Sequence, residues 1–244
     1  MPLVFIHGMG GNSRNWETQY AQFSDRYRVI GWDAPGYGAS DDWPTDTPTV
    51  ADYTDMMARL LDALDVERAH MVGHSFGGTL MPAFQKAHPD RVRSMVLAQP
   101  VIGSGPLEPE KQAEVIAVRE VLLADLGIPE YARQHAPRSV AATADEATVA
   151  KGIEVTSWTR PKGHLAQWRA MARADIFQEI TTDPCPTTVI AGAGDKTASQ
   201  EVVRRIADAI SGAHFVELPD VGHMIYIEHP DRFNTALEDH LARV

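Results

Sequence analysis

Val72-Gly73-His74-Ser75-Phe76-Gly77-Gly78 decides how this chain is read. The apolar run Ala69-His70-Met71-Val72 enters it with the length of a short buried strand. A helical stretch from Gly77 to about Ala87 leaves it. Between them stands Gly-x-Ser-x-Gly, the pattern of a nucleophile elbow. The turn is so sharp that the residues two before and two after the serine must lack side chains. The serine is then held in a strained backbone geometry, with its hydroxyl above the sheet. The first N–H groups of the following helix point at whatever the serine attacks. The five-residue pattern alone is weak; the strand before it and the helix after it supply the context.

A length of 244 residues suits one α/β domain, with or without an insertion. Hydrophobic content of 44% and charged content of 23% are ordinary for a globular protein. The net charge of −11 repels nucleic acid and anionic membranes, so neither is expected as a partner. Cys185 is the single cysteine, which excludes an intramolecular disulfide and suits a reducing, cytoplasmic setting. No Cys/His spacing fits zinc, and no metal is expected. Pro2 to Ile6 is a strand-length run rather than the core of a leader peptide. No apolar stretch approaches the ~18 residues of a membrane span.

The first strand, Leu3 to Ile6, runs into His7-Gly8-Met9-Gly10-Gly11. A helix opens at Asn12-Ser13-Arg14-Asn15-Trp16, and a second strand, Tyr27 to Trp32, ends at Asp33. Gly8-x-Gly10 followed by Asp33 outlines a dinucleotide-binding unit, but the third glycine of that fingerprint would fall at Ser13. The other reading is an oxyanion-hole loop. Acyl transfer builds charge on the former carbonyl oxygen, and the backbone N–H groups of Met9 and Phe76 are the candidate donors. His7 is expected to anchor this loop. Asp33 to Ser40 is dense in turn formers and reads as structural. Thr49-Val50-Ala51-Asp52 resembles a capping box. Val50, Tyr53, Met57, Leu60, Leu61 and Leu64 then recur at helical spacing.

These residues resemble the α/β-hydrolase fold family. The carriers are His7-Gly8-Met9-Gly10-Gly11 with Trp16, Asp33-x-x-Gly36-x-Gly38-x-Ser40, and Gly73-His74-Ser75-Phe76-Gly77-Gly78. Their order and separation are similar to those of the smaller lid-bearing members: ester and lactone hydrolases, carbon–carbon bond hydrolases and cofactor-free haloperoxidases. The resemblance implies a mostly parallel, doubly wound α/β sheet with a helical lid inserted between sheet strands, and no cofactor. The chain is expected to depart from the family by lacking the β-hairpin usual before this first strand. Pro82, inside the helix after the elbow, is expected to kink it.

Arg93 to Ala98 reads as a strand. From about Glu108 to Asp175 helical composition dominates, in segments Glu110 to Leu126, Pro129 to Val140, Asp145 to Thr156 and Lys162 to Ala174. Residues 103–175 are therefore expected to form the lid, and 1–102 with 176–244 the core. Trp158 and Trp168 are the candidate substrate contacts in the lid. Arg160 and Lys162 are expected to be solvated.

A serine needs a base, and the base an orienting carboxylate. Thr187 to Ala191 is a strand ending in Gly192-Ala193-Gly194-Asp195, which places Asp195 where open α/β sheets build their sites. Some relatives carry the acid one strand earlier, but Gln99-Pro100-Val101-Ile102 offers no carboxylate there. The last strand, Ala213 to Leu218, is followed by Pro219-Asp220-Val221-Gly222-His223. His223 is the one histidine in a turn directly after it. Ser75, Asp195, His223 is the chain order of this fold. His74 is expected to point away from the site. A final helix begins at Pro230, with Phe233, Leu237 and Leu241 on its buried face.

The function expected is that of a serine hydrolase acting on a small-molecule carboxylic ester or lactone. A carbon–carbon bond hydrolase, a lyase or a cofactor-free haloperoxidase would use the same triad. A ligand-binding receptor would use the same pocket.

Overall fold

The computed structural model describes residues 1–244. Six strands form one sheet: β1 (Pro2–Ile6), β2 (Arg28–Trp32), β3 (Ala69–His74), β4 (Val92–Ala98), β5 (Thr187–Gly192) and β6 (His214–Leu218). Their order is β2-β1-β3-β4-β5-β6. Every adjacent pair is parallel. The central strands β3 and β5 are buried along their whole length, as a sheet covered on both faces requires.

Ten helices accompany the sheet. They are α1 (Glu17–Phe23), α2 (Val50–Ala63), α3 (Phe76–Ala87), α4 (Pro109–His135), α5 (Glu146–Ser157), α6 (Pro161–Arg173), α7 (Ile176–Glu179), α8 (Gln200–Ala209), α9 (Ile225–Glu228) and α10 (Pro230–Leu241). Side chains alternate across a strand, and β1 divides the core accordingly. Val4 and Ile6 join one cluster with Met57 and Leu61 of α2, Leu80 and Phe84 of α3 and Ile206 of α8. Leu3 and Phe5 join the other with Phe23 of α1 and Phe233, Leu237 and Leu241 of α10. Full burial of each such side chain contributes on the order of 2 kcal/mol.

The expected capping box is present: the Thr49 side chain accepts the Asp52 N–H, and the Asp52 carboxylate accepts that of Thr49. Helix α3 runs through Pro82 as one assigned helix. The break expected after Leu126 is present. Gly127 adopts φ 66° and ψ 167°, a non-helical conformation open to glycine, so α4 consists of two helical segments that meet at this kink, one on either side of the expected break.

Chain order reverses direction between β1 and β3, since β2 lies on one side of β1 and β3 on the other. The crevice at the carboxyl ends of these strands is where a parallel sheet holds its ligands. The β1–α1 loop and Ser75 flank this crevice. Helices α4, α5 and α6 enter between β4 and β5 and line the cavity above it.

Candidate active site

Ser75 connects β3 to α3 with φ 53° and ψ −120°, a left-handed backbone that a non-glycine residue adopts at a cost of about 1–3 kcal/mol. The strain is sustained by what surrounds the turn. A Cβ on Gly73 would stand 2.5 Å from the Gly77 carbonyl oxygen, and one on Gly77 would stand 2.5 Å from that of Ile6. The two glycines thus allow β3, α3 and the end of β1 to touch through backbone alone. Ser75 is thereby left on the floor of the cavity, 5% exposed.

Three residues far apart in sequence meet there. His223 Nε2 lies 2.9 Å from Ser75 Oγ, and His223 Nδ1 lies 2.7 Å from Asp195 Oδ2. A carboxylate only accepts, so Nδ1 carries the proton. Nε2 is then the acceptor that faces the serine hydroxyl. Asp195 is held from the other side as well: its Oδ1 accepts the backbone N–H groups of Thr197 (2.7 Å) and Ala198 (3.1 Å). The His223 loop is clamped in turn. The Ser139 carbonyl accepts the N–H groups of His223 (2.8 Å) and Met224 (3.1 Å). The Glu228 carboxylate accepts those of Ala141, Gly222 and Met224.

Two supporting residues escaped the sequence reading. Gln99, at the end of β4 with φ 48°, donates from Nε2 to Asp195 Oδ2 (3.0 Å) and to the Gly222 carbonyl. It joins the carboxylate to the histidine loop from the position where a substitute acid had been sought. A polar residue at the tip of the strand beside the elbow was the available signal. His74 points away from the cavity as expected, and lies beneath the triad. Its Nε2–H donates to the His223 carbonyl at 2.7 Å, and burial drives its pKa well down, keeping the ring neutral.

The β1–α1 loop is anchored as expected. His7 Nδ1–H donates to the Gly8 carbonyl at 2.7 Å, its Nε2 accepts the Ala34 N–H at 3.1 Å, and burial lowers its pKa. Asp33 is structural, accepting the N–H groups of Ser13 (2.7 Å) and Ala39 (3.2 Å). Neither the Met9 nor the Phe76 N–H donates to an acceptor within the protein. Phe76 opens α3, so its amide lacks a helical partner by geometry.

The cavity above Ser75 has a volume of about 730 Å³. Met9, Ser75 and His223 line its floor, and Arg119, Tyr131, His164 and Trp168 come from the helical insertion. A hydrogen-bonded relay ties that insertion to the β1–α1 loop. Trp168 Nε1–H donates to His164 Nε2 at 3.0 Å, so His164 carries its proton on Nδ1. That Nδ1–H faces the Tyr37 hydroxyl at 3.3 Å, which accepts the Gly10 N–H at 3.5 Å. Burial pushes His164 down to about 3, matching the neutral ring that this relay needs.

Trp168 lines the cavity; Trp158 does not, which corrects the expectation for that residue. Trp158 follows the last turn of α5 and packs against cations on the outside, with Arg14 Cζ 4.2 Å and Lys151 Nζ 5.4 Å from its ring. Arg160 and Lys162 face solvent as expected, with side chains 40% and 56% exposed, and both pair there with Asp42. No group of His, Cys, Asp and Glu is arranged to hold a metal ion. No helix is long and apolar enough to cross a membrane.

Comparison with known proteins agrees with this architecture. A family model described as the alpha/beta hydrolase family matches residues 3–236. A protein of Caulobacter sp. (strain K31) described as a putative carbamate hydrolase RutD is 30% identical over 246 residues, spanning 98% of this chain and 90% of its own length. A thermophilic esterase from Thermogutta terrifontis superposes with a TM-score of 0.89 at 26% identity, covering 100% of this chain and 90% of that one. The enol-lactonase from Burkholderia xenovorans LB400 gives 0.85 at 29% identity, covering 99% and 91%. The chain belongs to the alpha/beta hydrolase family.

Proposed function

We propose that the chain is a serine hydrolase that cleaves a small or medium carboxylic ester or lactone by way of an acyl-enzyme. The observation that carries this reading is the continuous path from Ser75 Oγ through His223 to Asp195, with hydrogen bonds of 2.9 and 2.7 Å on a strained elbow. The similarity to proteins named as an esterase and an enol-lactonase supports the choice of bond.

In this reading Ser75 Oγ attacks the carbonyl carbon while His223 Nε2 takes the hydroxyl proton. Asp195 keeps Nδ1 protonated and stabilises the imidazolium that forms. The tetrahedral oxyanion accepts hydrogen bonds from the Met9 and Phe76 amides, which have no partner within the protein. Collapse expels the alcohol, which receives the proton from His223. For a lactone the alcohol stays tethered to the acyl group. His223 then deprotonates a water, which attacks the acyl-enzyme. The second collapse frees the acid and returns the proton to Ser75. Residues 103–175 act as a lid that excludes bulk water and shapes the pocket.

Turnover of p-nitrophenyl butyrate by wild type and Ser75→Ala tests the assignment. The variant is expected to lose activity while keeping the wild-type melting profile; retained activity contradicts the reading. A panel of esters, lactones and vinylogous diketones separates ester cleavage from carbon–carbon cleavage by the same triad.

A further inference from the structure

We propose that the substrate carries a free carboxylate and that the guanidinium of Arg119 is its docking point. The inference rests on the ester hydrolase reading of the same cavity. It starts from a charge contrast. The chain holds 33 acidic and 22 basic residues. Yet the cavity wall contains Arg119, Arg138 and Lys196 and no aspartate or glutamate. None of the three is paired with a carboxylate. Elsewhere on the insertion, Arg160 and Lys162 pair with Asp42, and Arg169 pairs with Glu120. A cavity walled by unpaired cations in an acidic protein favours an anionic ligand over a neutral one of the same shape.

The posture of Arg119 selects it among the three. Arg138 and Lys196 are exposed, while Arg119 is half-buried with Cζ 4.3 Å from the centre of the Trp168 ring. Trp168 is itself fixed through its bond to buried His164. The guanidinium lies over the Trp168 ring. None of its N–H groups donates within the protein, so the fork that takes a carboxylate through two parallel hydrogen bonds is open. Packing on the fixed indole orients that fork in advance and lowers the ordering cost of binding. The volume of about 730 Å³ accommodates a substrate that reaches both Ser75 and this anchor.

Two assays test the proposal. The first compares kcat/KM for p-nitrophenyl hydrogen succinate, which ends in a carboxylate, with that for p-nitrophenyl butyrate, which ends in a methyl. Wild type, Arg119→Met and Arg119→Lys are measured. The anionic-to-neutral ratio is expected to fall at least tenfold in Arg119→Met, which keeps an apolar stem against Trp168, and to recover in part in Arg119→Lys. An unchanged ratio overturns the proposal. The second assay needs no turnover: calorimetric binding of glutarate and of its neutral diamide to wild type and Arg119→Met. Tighter binding of glutarate that disappears in Arg119→Met upholds the anchor even if neither ester is cleaved, in which case the hydrolase reading alone falls. No preference of wild type for glutarate overturns the anchor.

Discussion

Asparagine at position 195 is nearly isosteric with aspartate, yet it reverses the hydrogen-bond logic of the site. Four donors converge on the Asp195 carboxylate: His223 Nδ1 and Gln99 Nε2 on Oδ2, and the Thr197 and Ala198 amides on Oδ1. Asparagine offers one oxygen and one NH2 group. The two backbone amides are fixed by the loop, so the oxygen stays with them and the NH2 faces His223 and Gln99. His223 Nδ1 must then accept, which moves its proton to Nε2 and aims it at Ser75 Oγ. No base remains for the serine proton. Restoring the productive tautomer sets N–H against N–H and forfeits a charge-assisted bond. A loss of about 10⁴-fold, or about 5.5 kcal/mol in transition-state stabilisation, is expected in kcat/KM. Stability falls less, by about 1–3 kcal/mol, through the lost Gln99 bond. The assay is p-nitrophenyl ester turnover by Asp195→Asn alongside its thermal melt. Activity within tenfold of wild type in a folded variant would refute the tautomer argument.

Further outcomes follow from the same geometry. Ser75→Gly and Ser75→Ala both remove the hydroxyl, but only glycine relieves the positive φ of 53°. The glycine variant is expected to be the more stable by about 1 kcal/mol, raising its Tm by about 2–4 °C over the alanine variant in calorimetry. Gln99→Leu leaves the buried Gly222 carbonyl without its donor and frees the Asp195 carboxylate on one side. A Tm loss corresponding to about 1–3 kcal/mol and a fall in kcat rather than a rise in KM are expected from melts and steady-state kinetics. Burial lowers the pKa of two histidines from the ordinary 6.5, to about 3 for His164 and about 4 for His135. The unfolded chain takes these protons first as pH falls. Their contribution to stability is therefore complete above pH 6.5 and lost from there down toward pH 4, at up to about 1.4 kcal/mol per pH unit for His164. Melts between pH 7.5 and 4 are expected to show a Tm that declines below 6.5; a flat profile down to pH 4 contradicts the neutral relay.

The features legible in the sequence were those set by local rules. The glycines around Ser75 announce a backbone that only close approach explains, and Thr49-x-x-Asp52 announces a helix start. Asp195 and His223 stand in the loops that follow β5 and β6, at the end of the sheet where this fold builds its site. What stayed hidden depends on contacts across the fold. Gln99 is unremarkable until β4 and β5 pair and bring it to Asp195. His74 reads as a neighbour of the nucleophile, and only the returning loop gives it the His223 carbonyl. Trp158 and Trp168 look equivalent in sequence, since composition alone does not mark which of the two faces inward. The four-residue spacing of His164 and Trp168 on α6 was the one clue, because it puts both on a single helical face.

The central claim is that Ser75 is an activated nucleophile, and intact-protein mass after treatment with a fluorophosphonate tests it most directly. The serine oxygen displaces fluoride, so a covalent adduct reports activation without any knowledge of the substrate. A single adduct on wild type and none on Ser75→Ala is the expected result. No adduct on folded wild type, or an equal adduct on the variant, would contradict the account.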